Sequence, residues 1–267
     1  MKRITKYTSM LLLGATLVGC ATSAITGRKY LKLVDSQTIN NQAALAYKDF
    51  LSKNSSKVET GSAAATQVKR VGNRIAAATN EYLRQIGAAD KFNFNWEFNL
   101  IESDQVNAWC MPGGKVAVYT GILPVAKNDA GLATVMGHEI AHAIEEHSVS
   151  QVSNAMAAQL GAQLLNAAGT ISNSRYTGIF NQIYGIGYQV GSLKFSRNDE
   201  LAADKAGLIL MAMAGYNPEE AVSFWERMAQ GKKGSTPEWL STHPSDARRI
   251  SQLQAMVPEA MKYYKKQ

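Results

Sequence analysis

Val68, Val71, Ile75, Tyr82 and Ile86 recur at close to 3.6-residue spacing, so the stretch they punctuate is read as a helix with one buried stripe. An earlier helix is expected over Ser36 to Leu51, and the polar stretch from Lys53 to Gly61 separates the two. The period then changes. Phe92, Phe94, Trp96, Phe98 and Leu100 alternate with Asn93, Asn95, Glu97 and Asn99, the repeat of a strand with one buried face. Two further strands, Val106 to Met111 and Lys115 to Tyr119, flank the tight-turn sequence Pro112-Gly113-Gly114.

After Gly121 the pattern is helical again. Asn128 or Asp129 can cap a helix whose core face holds Leu132, Val135, Met136, Ile140 and Ala143. More helices are expected over Val149 to Ala168, over Asp199 to Ala214, after Asn217-Pro218, and from His243-Pro244 to about Met256. Residues 169–192 are rich in Gly, Asn, Ser and Tyr and read as irregular, a lid over a cleft or an ordinary loop. No repeat or heptad array interrupts this order. Helices, a short antiparallel sheet, then helices make an α+β fold that is mainly helical.

Composition changes this picture little: 46% hydrophobic and 18% charged residues in 267 describe a globular chain. The formal charge is +7, with Lys2, Arg3 and Lys6 at the extreme N-terminus; so mild a balance does not call for nucleic acid. Those three cations precede an apolar run, Met10 to Val18, too short to span a bilayer, so residues 1–19 read as a signal peptide. Leu17-Val18-Gly19-Cys20 resembles the bacterial lipobox, in which Cys20 is acylated and anchors the protein to a membrane. Ala21 after the Cys favours, by resemblance to diderm lipoproteins, the outer membrane facing the periplasm. Residues 20–34 are then expected to be a lipidated tether and 35–267 a single domain. Cys110, the other cysteine, is expected to be a buried small hydrophobe. The Ala- and Leu-rich run from Asn154 to Gly169 is broken by Gln159, Gln163 and Asn166 and reads as a buried helix, not a membrane span.

The chemistry concentrates in His138-Glu139-Ile140-Ala141-His142. At about 100° per residue, positions four apart are offset by about 40°, so His138 and His142 project from one face of the predicted helix, one turn apart. Two imidazoles so placed can take two corners of a zinc tetrahedron, and Glu139, rotated about 100°, stands beside the metal as a proton acceptor. A catalytic zinc needs a third protein ligand and an open position. His147 is about 180° around the helix from His138, so Glu145, Glu146 and His147 are read as a solvated helix end. Glu200 is the better candidate, with Asp204 one turn on as a carboxylate behind a His ligand. Spacing alone leaves open an acidic helix face paired with Lys205 or Arg197. A lone His243 before Pro244 is, by itself, more often structural.

The helical His138–His142 motif, the later Glu200 and Asp204, and the terminal His243-Pro244 with Arg249-Ile250 together resemble the HtpX-like and CAAX-prenyl-protease-like gluzincin zinc metallopeptidases. Asn107-Ala108, Pro112-Gly113-Gly114 and Tyr119-Thr120-Gly121 resemble that family's strand before the zinc helix. Size and lipobox match its LoiP-like periplasmic lipoprotein members. The resemblance implies a zincin-type domain with one zinc per chain on His138, His142 and Glu200. It implies that Asp204 and Arg249 support the site, that Glu139 and His243 are catalytic, and that Asn107 and Ala108 line the substrate cleft. Its implied activity is endopeptidase action on unfolded or misfolded cell-envelope proteins, a quality-control role. The membrane-spanning helices of many relatives are missing here, which speaks against intramembrane prenyl-peptide cleavage. The rival class is an assembly factor with weak or latent activity.

Overall fold

The computed structural model describes residues 19–165, 178–179, 194–230, 238–244 and 247–265. Residues 1–18 of the expected signal peptide, the irregular segment 169–192 apart from 178–179, and the end of the Lys262–Gln267 tail lie outside them. Cys20–Thr22 (β1) and Lys29–Leu31 (β2) form an antiparallel hairpin. Ser36–Lys53 (α1) and Ala63–Gln85 (α2) follow, with the short strand Val58–Glu59 (β3) between them. Side chains of Asp35 and Ser62 accept from Thr38 and Ala65 N–H groups and so start the two helices. Glu97–Ile101 (β4), Ala108–Met111 (β5) and Lys115–Tyr119 (β6) complete a four-stranded sheet of order β3-β4-β6-β5. Helices Leu123–Ala126 (α3), Asp129–Ile144 (α4), His147–Leu165 (α5), Arg197–Met213 (α6), Glu220–Gln230 (α7), Glu238–Thr242 (α8) and Ala247–Met261 (α9) finish the described chain. None of the described helices is long and apolar enough to cross a membrane.

Helices beside a small sheet bear out the α+β reading, with three corrections. The four-stranded sheet is mixed, because β4 and β6 run parallel while β3/β4 and β5/β6 are antiparallel. The alternating stretch pairs as a strand only from Glu97; Phe92, Phe94 and Trp96 precede the strand and, with Phe98 inside it, form a run of stacked rings with centroids 5.5, 4.4 and 6.3 Å apart. That alternation records ring stacking along an extended chain rather than a sheet ladder. Thirdly, residues 20–34, expected as a tether, pack as a hairpin on the far end of α4. Tyr30, Lys32 and Ser36 all reach the Glu146 carboxylate, and Thr26 Oγ1 donates to Glu145 Oε2 at 2.7 Å.

The sheet is buried on both faces. Val116, Val118 and Ala108 face a core shared with α2, α4, α6 and α7, while Trp109, Met111, Ala117 and Tyr119 face α1 and α5. The turn between β5 and β6 uses Gly113 and Gly114 at φ 77° and 85°, in the left-handed region that glycine tolerates. Cys110 is partly rather than fully buried, and its burial pushes the thiol's pKa up, which keeps it protonated and unreactive.

Helix α4 is buried all round from Gly131 to Ile144, and it meets α6 backbone to backbone. A Cβ on Gly207 would lie 2.9 Å from the His138 nitrogen, and one on Gly137 would lie 3.0 Å from the Gly207 oxygen. This contact, one residue from His138, sets the spacing of the two helices that carry the candidate ligands. Gly207→Leu is expected to cost about 1–3 kcal/mol, since backbone cannot move aside as a side chain would. A urea melt should show a lower midpoint with unchanged slope; an unchanged midpoint would mean the helices are not in contact there.

Candidate active site

His138, Glu139 and His142 occupy consecutive turns of α4 and are all nearly sealed from solvent. The imidazoles of His138 and His142 bring their Nε2 atoms to 3.1 Å, and Glu200, at the start of α6, places carboxylate oxygens 3.5 Å from each of them. Ser196 makes a capping box with Asp199 that fixes the first turn of α6, and so the place of Glu200. In a zinc tetrahedron with ligand distances of about 2.0–2.1 Å, neighbouring ligand atoms stand about 3.3–3.4 Å apart. The imidazole nitrogens, 3.1 Å apart, are close to that spacing, and each has a different Glu200 oxygen at 3.5 Å, so the three side chains converge tightly enough to hold one zinc ion. Glu200 Oε2 is buried without a hydrogen bond, although Arg249 Nη1 pairs with it by charge at 2.9 Å. An acceptor so placed suits a metal.

Behind His138 stands a carboxylate. Asp204 Oδ1 is 3.0 Å from His138 Nδ1, and Arg249 grips both Asp204 oxygens, with Nη2 at 2.7 Å and Nε at 2.9 Å. Arg249 also lies 3.5 Å over the Trp225 ring and donates to the Pro244 carbonyl. Burial opposes charge on His138, but Asp204 and Glu200 outweigh it and raise the imidazole's pKa to about 9. Burial, then the neighbouring His138, push His142 the other way, well below its ordinary value. Without metal the pair shares its proton unequally, and a metal that takes both imidazoles must displace it.

Asn107 and Ala108 lie at the start of the edge strand β5, both buried. The Asn107 side chain turns back to accept from the Ala108 N–H at 2.9 Å, and the Val106 carbonyl accepts from the Trp239 N–H at 3.1 Å. In this arrangement α8 is hydrogen-bonded to the chain just ahead of β5, beside the stretch expected to line the substrate cleft. Trp239 reaches further: its indole N–H donates to Glu139 Oε1 at 2.7 Å. His243, one turn beyond Trp239, sets Nδ1 3.2 Å from His138 Nε2 and 2.9 Å from Glu200 Oε1. It therefore stands at the fourth corner of the candidate metal site, closer than a residue expected only near the reaction centre. Beside Glu200 and Asp204 a cleft of about 260 Å³ opens, walled by Phe195, Leu201 and Pro244, with exposed Arg197 and Arg248 at its rim.

Glu145, Glu146 and His147, expected in solvent, are buried, because the N-terminal hairpin covers them. The sequence reading also passed over Trp239, over His147 as a neighbour of His142, and over Phe195, which stacks on His142 at 4.0 Å. Trp239 is four residues before His243, one helical turn, which was a readable signal; no local pattern marks Phe195.

A buried two-imidazole, one-carboxylate site with a glutamate beside it, on a helix packed against a small sheet, defines a zinc metalloendopeptidase. Residues 62–257 match the family model described as Peptidase family M48, and the chain belongs to that family. It is 32% identical over 262 residues to the "Mitochondrial metalloendopeptidase OMA1" of Schizosaccharomyces pombe, covering 92% of this chain and 72% of that one. With the Homo sapiens "Metalloendopeptidase OMA1, mitochondrial" it shares 31% over 175 residues, 63% of this chain and 33% of the other. With the Escherichia coli "Beta-barrel assembly-enhancing protease" it shares 28% over 195 residues, 67% of this chain and 39% of the other. The chain thus spans well under half the length of the human and E. coli relatives.

Proposed function

We propose that this metalloendopeptidase cleaves unfolded or misfolded cell-envelope proteins while held by a lipid on Cys20 at the outer membrane, facing the periplasm, as a LoiP-like member of its family. The lipobox and the similarity to a protease named for β-barrel assembly support that reading. The donor geometry on His138, His142 and Glu200 carries the chemistry. Zinc, when bound there, supplies Lewis-acid polarisation of the scissile carbonyl and activates the attacking water. Glu139 takes the proton from that water as its oxygen bonds to the carbonyl carbon, then passes it to the amine nitrogen as the C–N bond breaks. Asp204, fixed by Arg249, holds His138 in one orientation. An extended segment would pair along β5 once α8 shifts, which favours unfolded over folded chains, with a side chain in the cleft beside Glu200. Incubating the protein with one β-barrel protein in urea-unfolded and in folded form tests this. Faster loss of the unfolded form is expected; equal rates would contradict it.

His243 is assigned as the donor to charge developing on the carbonyl oxygen, a role whose loss costs roughly 10²–10³ in rate. Its position at the fourth corner favours a second reading, in which it closes the site until α8 moves. His243→Ala separates them in a peptide-cleavage assay: a fall in kcat of that size is expected, whereas a rise would make His243 a plug.

A further inference from the structure

The distal nitrogen of His138 is backed by Asp204 and Arg249, and His142 has a counterpart that the catalytic reading leaves without a task. His147, only 1% exposed, brings its Nδ1 to 2.8 Å from His142 Nδ1. One hydrogen fits between two such nitrogens. His142 Nε2 faces His138 Nε2 and Glu200, at 3.1 and 3.5 Å, so its lone pair is on that side. Its proton is then on Nδ1 and is donated to His147. His147 must hold its own proton on Nε2, which looks toward Asp199 Oδ1 at 3.4 Å, an electrostatic contact rather than a close hydrogen bond. Ser196 occupies the other Asp199 oxygen, with Oγ at 2.7 Å and N at 3.2 Å. Asp199 Oδ1 also pairs with Arg28 Nη1 at 3.4 Å. Arg28 belongs to the turn of the N-terminal hairpin, and its Nη2 donates at 2.9 Å to the carbonyl of Glu145, the residue that caps the C-terminal end of the zinc helix. One guanidinium thus ties the end of α4 to the start of α6, the two helices that carry the metal donors.

We propose that His147 is a positioning residue for His142, backed by Asp199 and by Arg28, so that the hairpin that begins at Cys20 is part of the support of the zinc site. This rests on His142 being a zinc ligand. His147 is not itself one of the four residues whose donor atoms cluster. Partners behind a metal-bound imidazole fix its orientation, and losing one costs about 10–100-fold in metal affinity.

The test is zinc affinity, measured on the purified chain by competition with a chromophoric chelator, beside the visible spectrum of the cobalt form. His147→Phe keeps the ring and removes both nitrogens, and roughly 10–100-fold weaker zinc binding with an altered cobalt spectrum is expected. His147→Asn returns an acceptor near the Nδ1 position and should recover most of the affinity. Arg28→Gln, on the partly exposed hairpin, should weaken zinc several-fold while the metal-free thermal midpoint stays put, and it reads the same relay if His147→Phe fails to fold. Wild-type affinity and spectrum in His147→Phe, or in Arg28→Gln where the first does not fold, would overturn the proposal. A wild-type chain that binds no zinc would instead sink the metal reading beneath it.

Discussion

Glu139→Gln is expected to lower peptide hydrolysis by roughly 10²–10⁴-fold while one zinc stays bound. Gln keeps the size of the side chain and an oxygen that can still accept from Trp239 Nε1, the contact made at 2.7 Å. What it loses is the ability to take a proton from water and return it to the leaving amine. Because Glu139 is not among the clustered donors, the metal should be indifferent to the change. Metal content and cleavage of unfolded casein, measured on the same sample, check both halves. Loss of zinc together with activity would mean that Glu139 holds the site rather than working in it. Full activity would remove it from the chemistry. If Glu139→Gln restored every defect of a deletion strain, the assembly-factor reading would gain over proteolysis.

Arg249→Ala carries the second large effect, on stability. Arg249 and Asp204 are both buried and share two short contacts, 2.7 and 2.9 Å. Removing the arginine leaves the Asp204 carboxylate with only the His138 imidazole, at 3.0 Å, against it in a dry site, and breaking a buried pair in this way costs about 3–5 kcal/mol. The pH dependence has a definite sign. Burial would raise the Asp204 pKa, but Arg249 and His138 lower it below its ordinary value. A carboxyl whose folded pKa is depressed stabilises the fold above the unfolded-state pKa and loses that contribution as pH falls through the carboxylate range. In Arg249→Ala the largest single cause of that depression is removed. Denaturant melts at pH 7 and at acid pH should therefore show the wild type losing more stability on acidification than the variant. Parallel losses would show that Asp204 is not held by Arg249.

The parts that were legible in the sequence are those set by spacing along one element. His138, Glu139 and His142 could be placed because an α-helix fixes what residues one and four apart can do, and the pair Asn128 and Asp129 marked the helix start, where Asn128 proves to be the cap. Glu200 and Asp204 could be paired for the same reason. Contacts made by chain returning from far away were illegible. Glu145, Glu146 and His147 look like a polar helix end, and their burial depends on residues 20–34, more than a hundred positions earlier, folding back over them. The same holds for the engagement of Glu139 by Trp239, exactly a hundred residues later in the chain, which no periodicity contains. The Phe92–Phe98 alternation misled in another way. Alternation reports an extended chain with one greasy side, and stacked aromatic rings meet that condition as well as a sheet does.

An anomalous-difference map from crystals of the zinc-loaded protein would test the metal centre most directly. One peak per chain is expected, within about 2.0–2.2 Å of the Nε2 atoms of His138 and His142 and of a Glu200 carboxylate oxygen. A peak that leaves Glu200 outside coordination distance, or no peak between those imidazoles, would contradict it.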